Sequence, residues 1–166
     1  MQCDKHVGGK MIVESAQMLS TAHRMLDGKV EKRPSKTGKR MVNYWVHPSM
    51  DDVLYKAVHF NHPCTVWTRE SKSNYEWLYI HFIALCQEYT YRYQKIHKTE
   101  RDLSLVLEST PLTIPDTALT PFKLAMGAAP ECINTNDPVG SYRKFYRTKK
   151  DRFEMKWTGR KIPDWF

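Results

Sequence analysis

From Cys64 to Tyr93 the chain reads CTVWTRESKSNYEWLYIHFIALCQEYTYRY, and no other stretch limits the fold as tightly. Tyr75, Leu78, Phe82, Ile83, Cys86, Tyr89 and Tyr93 recur at three- and four-residue spacing and build one wide apolar face, the period of an α-helix. Ser71 or Ser73 marks a local break in this long pattern. Pro63 disfavours helix at His62 and suits the first turn of a new helix, which places a helix boundary inside HFNHPC. Tyr75, Phe82 and Tyr89 belong to the core. Trp77, Tyr79 and Tyr91 lie off that face and are open to other uses, stacking on bases included.

A second helix is expected from Lys10 to Leu26, where Met11, Ile12, Met18, Leu19, Ala22, Met25 and Leu26 keep helical spacing and Asp27-Gly28 supplies a turn or C′ glycine. KVEKRPSKTGKR, residues 29–40, is dense in Lys and Arg, contains Pro34 and Gly38, and reads as a mobile basic loop. MVNYWVHP is strand-like, and SMDDVLYKAV offers Ser49 as the N-cap of a short helix. KTERDLSLVLEST reads as a further helix capped by Thr99 and stopped by Pro111. Residues 111–137 should be irregular, with TPFKLAM long enough for one or two helical turns. Asp137-Pro138 then looks like an N-cap with proline at the first helical position. It opens a helix through VGSYRKFYRTKKDRFEMKW with Val139, Tyr142, Phe145 or Tyr146, Phe153 and Trp157 inward. The sum is a mainly α fold, a single compact helical domain over residues 1–166 with long irregular loops.

With 166 residues, 41% hydrophobic and 27% charged, the chain has material for a core and is no disordered tail. Its net charge of +8 attracts phosphate, anionic lipid or acidic protein, and nucleic acid is the commonest such partner. No apolar run nears the ~20 residues that cross a bilayer, and no signal-peptide layout is present. The expectation is a monomer that binds double-stranded DNA and no membrane, in the cytoplasm, or in the bacterial host's cytoplasm for a phage-encoded chain. Cys3, Cys64, Cys86 and Cys132 never form CxxC, which favours reduced thiols over a disulfide framework.

Two basic segments carry the DNA-binding expectation: Lys32, Arg33, Lys36, Lys39 and Arg40 of the loop, and Arg143, Lys144, Arg147, Lys149 and Lys150 of the last helix. Either alone can be a solvated face; together they favour phosphate contacts, which position a protein on a duplex without reading its sequence. His59 and His62 fit turn structure or phosphate contact. With Cys64 and Cys3 they also form a candidate zinc set, but the spacing is not that of paired ligands, and no metal or cofactor is expected. At the start of the chain Cys3, Asp4 and His6 stand near the α-amino group, ahead of a helix bearing Glu14. By spacing alone Glu14 is a solvated charge and His6 a capping or exposed residue.

Asp4-Lys5-His6 leading into a helix with Glu14, then HRMLDGK, resembles the N-terminal region of the phage endonuclease V family of pyrimidine-dimer DNA glycosylases. HFNHPCTVW, the helix ending EYTYRY and the segment SYRKFYRTKK come in comparable order, so the resemblance covers most of the chain. It implies a compact, mainly helical protein that cuts damaged DNA by glycosylase and β-lyase steps without cofactor or metal. It also implies that an N-terminal amine, here that of Met1, attacks the sugar C1′ to form a Schiff base. Glu14 then takes the role of the catalytic glutamate and His6 that of the nearby histidine. A terminal amine suits the task because its pKa of about 7.7–8.0 leaves a neutral fraction at physiological pH.

The chain departs from that pattern in four places. Asp4 lies nearly at the start, whereas the family has a longer preceding segment, and Gln2 should keep Met1 in place. Val13 and Gln17 stand where the family has arginines, and Gly8-Gly9 lengthens the interval from His6 to Glu14 by one residue. Two accounts fit: a chain begun at an internal methionine of a longer enzyme, or a relative that keeps the fold and DNA affinity without lyase activity. The competing expectation is a non-catalytic basic phage protein that binds nucleic acid or a host protein.

Overall fold

The computed structural model describes residues 2–166. Its helices are α1 (Met11–Leu26), α2 (Pro63–Glu70), α3 (Lys72–Tyr93), α4 (Lys98–Glu108) and α5 (Pro138–Arg147). The strands β1 (Lys29–Pro34) and β2 (Met41–Val46) form an antiparallel hairpin, paired from Lys29 with Val46 to Pro34 with Met41. The fold is mostly helical, and none of its helices is long and apolar enough to cross a membrane.

The central element is α1, against which α2, α3 and α4 all pack. Ile12, Ala16, Leu19 and Ala22 are fully buried, and so are Ser15, Ser20 and Thr21 on its other sides. Small side chains let three helices close in around one axis. The apolar face of α3 behaves as its spacing predicts: Tyr75, Leu78, Phe82 and Cys86 are buried, while Ile83 and Tyr89 pack at the edge. The break before α3 falls at Ser71, whose hydroxyl accepts from the Asn74 N–H and caps the helix. Asn74 in turn bonds Trp67 O and both the hydroxyl and N–H of Thr120, tying the irregular chain across the α2–α3 junction.

Arg24 holds the segment after the hairpin. Its buried guanidinium donates to the carbonyls of Tyr55, Trp45, Asp51 and Leu54 and pairs with the Asp51 carboxylate. At the end of α1, Gly28 is required by space, since a Cβ there would lie 2.3 Å from Arg24 O and 2.8 Å from Val46 O. Before α1, His6–Lys10 forms a turn kinked at Gly9, whose φ of 146° is a conformation open to glycine.

Several expectations are corrected. The basic stretch 29–40 is a hairpin arm rather than a loop: MVNYWV supplies a β-branched and aromatic partner, and backbone pairing holds β1 although all its side chains are exposed. No helix starts at Ser49. There the His47 ring accepts from the N–H groups of Ser49 and Met50, and the chain makes turns that present carbonyls to Arg24. His97, not Thr99, caps α4, through an Nδ1 that accepts the Thr99 N–H. TPFKLAM forms no helix. Asp137 does cap α5, but the helix ends at Arg147, because RTKKDR stacks cations with few i,i+4 acids to offset them. Val139 is exposed, whereas Trp157 is buried in the chain that returns after α5.

Replacing Arg24 by Met should cost about 3 kcal/mol or more, because four carbonyls lose their donor. Replacing Arg33, whose pair with Glu31 is exposed, should cost less than about 1 kcal/mol. Urea unfolding of the two variants checks the difference.

Candidate functional site

The N-terminal segment is fixed before it reaches α1. The Arg92 guanidinium, with no exposed side-chain surface, pairs with Asp4 at 2.8 Å and Glu88 at 2.7 Å and donates to the Gln2 carbonyl. Thr158 adds its N–H and hydroxyl to Asp4, which brings the chain beyond α5 back to the same place. Partial burial raises the Asp4 pKa, but the hydrogen bonds from Thr158 and Arg92 outweigh it and hold the carboxyl below its usual range.

Two residues on, His6 is buried, with Nδ1 2.8 Å from the Tyr146 hydroxyl and 3.4 Å from Cys3 Sγ. The Cys3 N–H donates to the same hydroxyl at 2.9 Å. Burial, then the charges of Lys149, Lys10 and Lys5, lower the His6 pKa to about 4, so the ring is neutral at physiological pH. Tyr146 therefore joins the start of α1 to α5 through a network of uncharged groups.

This network borders a pocket of about 420 Å³ between α1, α2, α3 and α5, with predominantly apolar walls. One wall is aromatic: Trp77 stacks on His81 with ring centroids 5.4 Å apart and planes 10° from parallel. Trp67 and Phe122 pack edgewise against Trp77 at 5.8 and 4.7 Å. Tyr142, Phe145, Tyr146 and Trp165 face them, with His6 and the cationic Lys123, Arg143 and Lys149 also in the lining. Such a slot accepts a flat ring or a sugar between π faces, next to donors for an anionic group.

The expected site residues divide into groups. His6, Arg143 and Lys149 come together at the pocket. Glu14 lies beside it rather than in its lining; its side chain is 45% exposed, 3.8 Å from Lys10, and its charge acts on Lys149. Met1 lies outside the described residues. Lys144, Arg147 and Lys150 are exposed at α5 and just after it. Each also donates to a backbone carbonyl, of Glu131, Trp165 and Phe166 respectively. His59 and His62 are exposed before α2, where His62 is the N-cap that accepts the Cys64 N–H. Lys32, Arg33, Lys36, Lys39 and Arg40 project from the hairpin at the far end of α1. The two basic segments thus stand on different elements, the hairpin that follows α1 and the helix α5.

Trp67, His81, Phe122, Lys123 and Trp165 are pocket residues that sequence patterns alone do not single out. For His81 a signal does exist, since it stands four residues after Trp77 and shares its helix face. Phe122 and Trp165 come from irregular chain, where no periodicity points to them.

The zinc set built on His59, His62, Cys64 and Cys3 does not assemble. Burial raises the Cys64 thiol pKa, which disfavours a thiolate, and Cys3 is committed to His6 and Tyr146. Among the described residues, the ligand atoms that converge within 4.8 Å are those of His23, Asp27 and His47. The His47 Nδ1 accepts two backbone N–H groups, so its inward Nε2 carries the proton and offers no lone pair. Two donors remain, too few for a closed zinc site.

No family model matches this chain, and no curated protein or solved structure matches it.

His6 and His23 both have pKa values lowered from 6.5 to about 4, chiefly by burial. Between these limits the unfolded chain binds protons that the folded chain does not, so stability falls as pH drops through the window. The urea midpoint should decline from pH 7 to pH 4.5, and His6→Gln should flatten part of that slope.

Proposed function

We propose that the chain is a DNA repair glycosylase with abasic-site lyase activity, which binds duplex DNA and receives an extruded base or sugar in the aromatic pocket. The observation that carries this reading is the pocket, where parallel and edgewise rings meet three cations and a neutral histidine beside the half-exposed carboxylate of Glu14. Enzymes that act on a base must take it out of the stack, and they hold it between aromatic or apolar side chains. Arg143, Lys144, Arg147 and Lys150 would hold phosphates near the pocket, and the hairpin cations would offer a second anchor on the duplex. Glu14 serves as proton carrier and stabilises the cationic sugar, in keeping with the resemblance carried by Asp4, His6 and Glu14.

One observation favours the non-catalytic alternative: the Glu14 side chain faces Lys10 and solvent rather than the cavity. The two readings part in a single assay. A duplex with one abasic site should be incised, and Glu14→Gln should slow incision about a hundredfold or more, the scale of a lost general acid–base group. Duplex binding that is unaffected by Glu14→Gln and accompanied by no incision selects the non-catalytic reading. In both cases affinity should fall with salt by about 0.9 log units per phosphate contact per log unit.

Trp77→Ala should weaken binding to a duplex with one damaged pyrimidine by about 1–3 kcal/mol more than to an intact duplex, the range of a lost stacking contact. Fluorescence anisotropy on paired duplexes measures it.

A further inference from the structure

Lyase chemistry needs a primary amine that is partly neutral and within reach of the extruded sugar. Among the described residues, two lysines line the pocket, Lys123 and Lys149. Lys123 is paired with Glu70 at 3.6 Å. Lys149 is placed otherwise. Its Nζ lies 4.7 Å from the centroid of the Phe145 ring and 5.7 Å from that of Tyr146, and the ion pairs of the described residues do not include it. Burial, followed by the charges of Lys10 and Arg152, holds its pKa below the usual lysine range, although Glu14 and Cys3 act in the opposite direction. Desolvation beside other cations is how proteins activate a lysine amine.

Building on the proposed lyase activity, we infer that the side-chain amine of Lys149 forms the covalent imine with an abasic deoxyribose held in the pocket. Neutral Nζ adds to the C1′ aldehyde of the ring-opened sugar. The nitrogen gives up its protons as the C1′ hydroxyl leaves as water, and a C1′=N double bond remains. Loss of a C2′ proton to a base then sends its electron pair into a C2′=C3′ bond and expels the 3′-phosphate. Water finally hydrolyses the imine and returns the amine. Glu14 faces Lys10 and solvent, so it would carry the protons through intervening water.

The test uses the full chain, a duplex with one abasic site, and sodium borohydride, which delivers hydride to C1′ and fixes the imine as a secondary amine. Proteolysis and mass mapping then locate the attached sugar remnant. The expected result is a remnant on Lys149, with trapping reduced more than about tenfold in Lys149→Arg, which keeps the charge but cannot form an imine. The urea midpoint of that variant shows that it folds. A remnant on the Met1 amine or on another lysine, or undiminished trapping by Lys149→Arg, overturns the assignment and leaves the lyase reading standing. No adduct and no incision with the unaltered protein overturns both.

Discussion

Helix α1 is enclosed by α2, α3 and α4, and the spacing of those helices depends on Ser15, Ala16, Ser20, Thr21 and Ala22 staying small. Enclosure also forces its polar residues inward, where each needs a partner. His23 meets Tyr75 and the Ser109 carbonyl, Thr21 bonds the Val58 backbone, and Arg24 gathers the carbonyls of the turns after the hairpin. The chain between β2 and α2 has no regular structure, so these contacts from α1 give it its course. The same enclosure leaves α1 touching solvent mainly near its ends, where the hairpin and the pocket are built.

The pocket is formed where distant parts of the chain converge. Arg92, near the end of α3, binds Asp4 and Glu88, while Thr158 and Arg160 reach the same two acids from the chain beyond α5. Tyr146 then connects α5 to Cys3 and His6. Arg92 pairs with both acids, Glu88 has a second cation in Arg160 and Asp4 a second donor in Thr158, so the junction is tied at several points. A rigid junction keeps the ring of His6 and the amine of Lys149 at fixed distances from the aromatic wall of α3 and Phe122.

Periodicity makes the helices legible, because a face that must be buried leaves a trace in spacing. Tyr75, Leu78, Phe82 and Cys86 show this, as do the serine break and the Asp137-Pro138 start of α5. The hairpin arm Lys29–Pro34 is hidden because it buries nothing, and a strand held by backbone bonds alone has no side-chain signature. His62 and His97 escape notice as caps because their imidazoles accept N–H groups where serine or threonine is the usual acceptor. Part of the pocket is likewise invisible: Phe122 and Trp165 come from irregular chain, and only folding sets them against Trp77 and Tyr146.

The kinked turn at His6–Lys10 leads the chain into a well-packed α1. One added residue in a continuous α-helix would swing everything beyond it by about 100°. Here the kink and the glycine at φ 146° uncouple the chain before Met11 from the phase of α1, as a spacer does between two machined parts. The segment upstream can therefore vary in length by a residue without rotating Ile12, Ala16 and Leu19 out of the interior.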